Sequence, residues 1–451
     1  MNIRIAVCCV LIASVFALTR ETFAQLETSV SATRQHDDNT FGTYQKLSDD
    51  VTQFYLNFSK DYDGDYSTWT LSYAGNLNLF DKYSFRNYHV HGLGLDYTLQ
   101  LNPEEEKEEE EDSTESELSS SGTHSRDSSA ATSNDSLKNY FYAGASLAGR
   151  FDRDSVNYYN NGYASSYARL RWLLSDSLVS HVMYLIGYRN YLNLKELSNL
   201  ENSVVMNLSA NLGATKLSAT AGYSYKKYLS TTTDTTELVK LGVTPGGVGP
   251  GKGKGKGKGA GSGSGGAQSG EVQRGVVITQ LSTPGSSSIG FGAGLVQRIG
   301  NQTEVGLRYF RQTSPSLKGR YINGQLRGYG PNDEIYDDSY TYQSHLIVGS
   351  LKQSFAWAMT LGIEVLYMPK TYGRPAFSLP DSLGQSVELS STRKDDRFEL
   401  GLELEQPFKF KNGFAKTLTI QFGYYFVNNR SNDDFYRFTD NLFSVGIETD
   451  F

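Results

Sequence analysis

The chain has 451 residues, of which 38% are apolar, 13% aromatic and 20% charged, with a formal net charge of -7. Beyond the first two dozen residues no apolar run is long enough for a membrane helix, which excludes a helical membrane protein, and the acidic balance argues against wholesale nucleic-acid binding. Tyr 31 against Trp 3, and Gly 45 against Pro 10, favour extended segments joined by tight turns over long helices.

Residues 1–24 read as a secretory leader: Arg4 supplies the positive start, residues 5–18 the apolar centre, and Thr22, Phe23 and Ala24 a small-x-small site with cleavage near Ala24. Both cysteines, Cys8 and Cys9, fall inside that apolar centre. The mature part, 25–451, is then expected to lack thiols, which removes disulfides, cysteine metal sites and cysteine nucleophiles together.

From residue 26 onward the dominant signal is a period of two. Phe54, Leu56 and Phe58 stand opposite Tyr55, Asn57 and Ser59, and Trp69, Leu71, Tyr73, Leu77 and Leu79 opposite Thr70, Ser72, Ala74, Asn76 and Asn78. The predicted strands before the middle of the chain are 26–36, 50–61, 67–79, 88–101, 139–151, 162–174, 178–192, 202–212 and 216–229. Between the fourth and fifth lies an acidic insertion, 102–138, with Glu104 to Glu106 and Glu108 to Asp112 followed by a serine-rich run. After the ninth comes a loop, 230–286, whose Gly251–Gly266 stretch spaces Lys252, Lys254, Lys256 and Lys258 with glycine. Both compositions bury too little apolar area to offset chain entropy and are expected to be disordered. The strands then resume at 287–299, 302–312, 338–351, 355–368, 395–405, 415–428 and 441–451, giving about sixteen.

Alternation alone also fits a soluble sandwich, with its apolar faces in the core. Two details favour inversion: polar faces such as Ser218, Thr220, Gly222, Ser224 and Lys226 are small with isolated charges, and the apolar faces carry Tyr, Phe or Trp towards their ends. That is the pattern of a transmembrane barrel, with lipid outside, a polar lumen, and aromatic girdles at the two interfaces. The last strand sets Phe443, Val445, Ile447, Thr449 and the terminal Phe451 on one face. This resembles the C-terminal signature of bacterial outer-membrane β-barrel proteins, Thr449 being the one departure from it. The resemblance implies a single all-β domain, a transmembrane antiparallel up-and-down β-barrel in the bacterial outer membrane. It also implies that Phe443, Val445, Ile447 and Phe451 are an assembly signal read by the outer-membrane assembly machinery.

An even barrel alternates short turns at one end with longer loops at the other. The joints near 62–66, 175–177, 213–215, 300–301 and 352–354 are short, and 230–286, 313–337, 369–394 and 429–440 are long. The acidic insertion 102–138 is long yet falls on the short-turn, periplasmic side, so it is either a genuine periplasmic insertion or a sign that the count is off by one strand. Alternation points Arg150, Arg169, Arg171, Arg189, Lys226, Arg298, Glu304, Arg308, Glu364, Arg397, Glu399, Glu403 and Glu405 into the lumen. Such groups either stiffen a wide barrel as an ion-pair network or form opposed walls that orient a polar solute and set charge preference. Tyr140, Tyr142, Tyr163, Tyr167 and Tyr425 share that side.

His89 and His91 share one strand face at i, i+2, and without a third ligand they read as an interfacial pair rather than a metal site. No G-x-S-x-G elbow is present, and a hydrolase in which His89 or His345 acts is the third reading of the chain. The expected function is a porin-like or exporter-like channel for passive transit of polar solutes or polymer, without enzyme activity or cofactor. The alternative is a plugged barrel acting as a surface structural or adhesion protein. Expected partners are outer-membrane lipid, lipopolysaccharide and the transported solute, and no nucleic acid.

Overall fold

A computed structural model describes residues 26–42, 44, 46–102, 138–153, 157, 159–230, 236–237, 276–279, 285–317, 320–323, 338–378, 388–410 and 415–451. The leader, the body of the acidic insertion and the glycine–lysine run lie outside these described residues.

Nineteen strands follow in chain order: β1 (Leu26–Asp37), β2 (Asp49–Asp63), β3 (Ser67–Phe80), β4 (Tyr88–Gln100), β5 (Tyr140–Asp152), β6 (Asn161–Ser175), β7 (Leu178–Tyr191), β8 (Asn199–Leu212), β9 (Thr215–Tyr228), β10 (Thr236–Glu237), β11 (Val276–Thr279), β12 (Gly285–Ile299), β13 (Thr303–Thr313), β14 (Arg320–Asn323), β15 (Tyr342–Ser354), β16 (Thr360–Phe377), β17 (Glu388–Lys409), β18 (Thr417–Ser431) and β19 (Phe438–Asp450). Sixteen of them close into one barrel, in the order β1-β19-β18-β17-β16-β15-β13-β12-β9-β8-β7-β6-β5-β4-β3-β2. β10, β11 and β14 form a separate three-stranded sheet. Every pairing in the barrel is antiparallel, so neighbours in sequence are neighbours in space and closure leaves no free edge.

Closure depends on β1 meeting β19, in register from Ser29 opposite Asp450 to Asp37 opposite Leu442. The seam continues past both ends: Phe451 N donates to Thr28 O at 3.0 Å. At the other end Asn39 Nδ2 donates to Thr439 O at 2.9 Å, and Asn441 Nδ2 to Asp38 Oδ2 at 2.8 Å.

The two ends of the barrel differ. At one, here the turn end, the connections include 64–66, 176–177, 213–214, 300–302 and 355–359, and both chain termini of the barrel lie there. At the other, the loop end, the longer connections gather, including 38–48, 192–198, 229–284 and 314–341. Leu101 N donates to Asn139 O at 2.9 Å, so the acidic insertion leaves and rejoins the barrel at the turn end. Tight turns need a left-handed residue, and Gly213 (φ 64) and Gly300 (φ 63) supply it without a Cβ penalty.

Two expectations shift. Alternation predicts a strand starting at Phe355, with Trp357 and Met359 on the same face, but 355–359 is a turn in which Trp357 (φ 67) and Ala358 (φ 63) are left-handed, and β16 starts only at Thr360. Alternation across a turn mimics alternation along a strand, which is why pattern alone misplaces this joint; each L-residue held there costs about 1–2 kcal/mol. The stretch 369–394 is also less loop than expected, since β16 runs on to Phe377 and β17 begins at Glu388.

Apolar burial is inverted. Leu71, Leu93, Leu95, Leu147, Trp172, Val182, Met206, Leu217, Phe291, Leu295, Leu307, Val365, Phe422, Phe443, Val445 and Ile447 are all exposed on the outer face. A continuous belt of this size is untenable in water and is what a bilayer covers. Many of the buried apolar residues, among them Phe41, Tyr159, Tyr372 and Tyr436, instead pack under the loop-end connections.

Candidate functional site

The residues left facing inward form the candidate lumen. Outward Leu147 and Phe151 on β5, Leu170 and Trp172 on β6, and Val182, Tyr184 and Tyr188 on β7 fix the parity, so Arg150, Arg169, Arg171 and Arg189 all point inward. Register then sets each arginine beside a tyrosine, because Arg169 pairs with Tyr142, Arg171 with Tyr140 and Arg189 with Tyr163. The guanidinium of Arg169 stacks 4.1 Å from the Tyr142 ring centroid, Arg189 5.1 Å from Tyr163, and Arg171 5.6 Å from Tyr140. Arg171 Nη1 also donates to Lys138 O at 2.6 Å. Stacking holds a cation without neutralising it. Arg150 differs, because Asp152 accepts from its Nε at 2.9 Å and Tyr88 and Tyr159 flank it at 4.2 and 4.7 Å, which makes it a structural element of the loop end.

Half a circuit away from β6 in the closed order stands β17. There Glu399, Glu403 and Glu405 point inward, and Glu364 on β16 and Glu304 on β13 join them. Glu403 lies between Gly362 and Gly423, and Glu364 opposite Gly401, so the carboxylates rise from a glycine floor. The result is a recess of about 700 Å³ whose inward lining includes Glu304, Lys352, Glu364, Glu403, Glu405 and Tyr425.

The sequence-expected lumen residues thus separate into two kinds. Arg308 and Glu364 form a pair at 3.2 Å with more than half of each side chain exposed, as water-facing groups do. Arg397 and Glu399 form a buried pair, and Tyr425 Oη donates to Glu399 as well, so this trio belongs to the wall. Phe443, Val445 and Ile447 lie on the outer face of β19.

Sequence reasoning placed Lys226 on the inner face but missed the loop-end clusters. Arg86 is buried between Phe41 and Tyr159, its guanidinium 5.6 and 4.6 Å from their rings. Lys226 meets Asp338 at 3.2 Å and Glu201 at 3.6 Å, and Tyr228 Oη donates to Asp338 at 2.9 Å. Arg393 Nε donates to Asp395 at 2.9 Å and its guanidinium stacks 3.4 Å from Tyr436 and 4.0 Å from Tyr372. A short-range signal exists for two of them: Asp338 and Asp433 each accept from the backbone N–H two residues on, at Tyr340 and Phe435, the turn an Asp before an aromatic favours. Burial pushes the Asp433 carboxyl above its ordinary range despite the opposing pull of Arg374 and Arg393.

His89, His91 and His345 are on the outer face. His89 Nδ1 and His91 Nε2 are 3.0 Å apart, His91 Nδ1 is 2.7 Å from Tyr73 Oη, and His345 Nδ1 is 2.9 Å from Tyr309 Oη. Among the described residues one group has metal-like spacing, Asp37, Asp38 and Asp440 at the loop end of the seam, with oxygens within 4.8 Å of one another.

An apolar outer belt, a closed sixteen-strand sheet and a charged lumen now stand together. The architecture is that of a closed up-and-down β-barrel with an apolar exterior and a polar interior. No family model matches the chain, and no curated protein matches it. Among solved structures it is similar to Pseudomonas aeruginosa OccK10 (OpdN), at 10% identity and TM-score 0.40, covering 95% of this chain and 99% of that one. For OccK8 (OprE) of Pseudomonas aeruginosa the identity is 10%, the TM-score 0.41 and the coverage 95% and 98%. For the outer membrane protein opdK from Pseudomonas aeruginosa they are 12%, 0.42, and 94% and 99%. At such identities the lumen's own geometry has to carry the functional reading.

Proposed function

We propose that the protein is an outer-membrane channel for the passive transit of small polar solutes, with the turn end in the periplasm and the loop end outside. The observation that carries this reading is the pair of opposed walls, stacked arginines on β6 and β7 facing the glutamates of β16 and β17. Fixed charges of opposite sign across a water-filled lumen orient a dipolar solute and set ion preference. Lipid and lipopolysaccharide would surround the outer face, and Phe443, Val445, Ile447 and Phe451 would serve the assembly machinery. No cofactor or catalytic residue is needed for such transit.

Planar-bilayer recording tests it. Stable ohmic steps are expected, with an ion preference that moves towards cations in Arg169→Gln and towards anions in Glu403→Gln. The loop-end clusters around Arg86, Lys226 and Arg393 favour a second reading, a barrel closed from outside that serves as a surface scaffold. Silence in the intact protein, with conductance only after removal of 230–286, would select that reading.

A further inference from the structure

β4 carries two histidines near the loop end, His89 as its second residue and His91 as its fourth, both exposed on the outer face. Their surroundings on the neighbouring strands are built around two absent side chains. His91 stands opposite Gly75 on β3 and opposite Gly149 on β5. Each glycine is roofed by an aromatic ring of its own strand: a Cβ added at Gly75 would lie 2.7 Å from Tyr73 Oη, and one added at Gly149 would lie 2.9 Å from the Phe151 ring. That space lets Tyr73 reach across to His91, Oη to Nδ1 at 2.7 Å, while Phe151 stacks on His89 with ring centroids 5.3 Å apart. The two imidazoles are thus held from opposite sides, and they meet through His89 Nδ1 and His91 Nε2 at 3.0 Å.

Spacing at i, i+2 does not by itself make a metal site, but convergence of the ring nitrogens adds what spacing lacks. A proton on His91 Nδ1, donated to Tyr73 Oη, leaves the lone pair on Nε2, the nitrogen turned towards His89. Two imidazole nitrogens that share one ion, each about 2.0–2.1 Å from it, lie roughly 3 Å apart. We infer that His89 Nδ1 and His91 Nε2 form a site for a divalent transition-metal ion of the zinc or copper class, with Tyr73 as a positioning residue behind His91 and water at the remaining coordination positions. Imidazole favours such ions over calcium and magnesium, which take oxygen ligands. Among the described residues no third His, Cys, Asp or Glu completes the set, so the ion is held more weakly than in a closed four-ligand site. A hydrogen bond between the two rings gives the same separation, and binding itself decides between them. His345 is a natural control: it meets Tyr309 at 2.9 Å much as His91 meets Tyr73, without a second imidazole bonded to it. Metal binding on this outer surface is independent of conduction through the lumen.

The protein, carrying no affinity tag, is folded in detergent micelles and titrated with Cu²⁺, Zn²⁺, Ni²⁺ and Co²⁺, and heat-dependent migration on a gel checks that each variant is folded. Cu²⁺ is expected to bind most tightly of the four, as the order of these ions at nitrogen ligands requires, with an electron paramagnetic resonance spectrum that reports two ring nitrogens. His89→Gln or His91→Gln should each weaken binding at least about tenfold and remove the two-nitrogen pattern, whereas His345→Gln should change neither. Tyr73→Phe should keep the two-nitrogen pattern and weaken binding about tenfold, the effect of losing a partner behind a metal ligand. Equal binding by the protein and by its His89→Gln/His91→Gln double variant would overturn the site. So would the absence of any ion held in the micromolar range, which would leave a plain hydrogen-bonded pair. An unchanged affinity in Tyr73→Phe would overturn the positioning role of Tyr73.

Discussion

At the scale of single residues, burial decides what each inward charge is for. Glu364 and Arg308 are both well solvated, and such a pair contributes at most about 1 kcal/mol, so Glu364→Gln should leave the urea midpoint in vesicles nearly unchanged and alter ion preference instead. Glu399 is the converse, because its partner Arg397 is almost completely buried. Glu399→Gln removes the carboxylate paired with that buried cation and is expected to lower the unfolding midpoint clearly more than Glu364→Gln does. The two substitutions remove the same charge from strands that pair directly, so the contrast isolates solvation. Alternation along β17 places both 397 and 399 inward but carries no information on whether they face water or each other. That depends on Tyr425 arriving from β18, a contact fixed only by register.

The hairpins carry the next level of argument. At the turn end Gly300 takes a left-handed conformation that an added Cβ would strain, so Gly300→Ala should destabilise the β12–β13 hairpin by about 1–2 kcal/mol. Ala358 holds the same conformation already, and Ala358→Gly should stabilise the protein by about 1 kcal/mol, each change being checked by urea unfolding in vesicles. The loop end works differently. Asp338 opens the short turn Ser339–Thr341 and binds Lys226 on β9, tying the start of β15 to the opposite side of a long connection. Asp338→Asn removes the closer of the two carboxylates that meet Lys226, and faster hydrogen exchange over 338–342 is the expected result, with exchange at the turn end unaltered. Strand positions were legible in the sequence because a membrane barrel repeats one pattern on every strand. The 355–359 turn was not, since residues i, i+2 and i+4 look alike whether or not the chain bends between them.

For the whole molecule the decisive quantity is the field across the lumen. The arginines stacked on tyrosines and the glutamates on their glycine floor belong to strands half a circuit apart, so their fields add across the opening. Screening limits that effect, and the ion preference measured in about 0.1 M salt, where the Debye length is about 10 Å, should largely vanish in about 1 M salt, where it is about 3 Å. An ion preference independent of salt would place selectivity in a dry constriction rather than in the charged walls. The acidic insertion leaves the barrel at the turn end, the side opposite the long loops, an asymmetry that follows from the parity of sixteen strands.

By itself the sequence determined which residues of a strand share a face and that about sixteen strands alternate along the chain, because side chains alternate with a fixed period and antiparallel strands reverse at every turn. It also determined the inversion, since small polar and large apolar faces cannot exchange places between water and lipid. Only the tertiary structure decided which charges meet. Closure brings β6 opposite β17, stacks Arg169 on Tyr142, buries Arg397 against Glu399 and leaves Glu403 open to the lumen. Those outcomes turn on register and on circumference, properties of the closed sheet that no single strand contains.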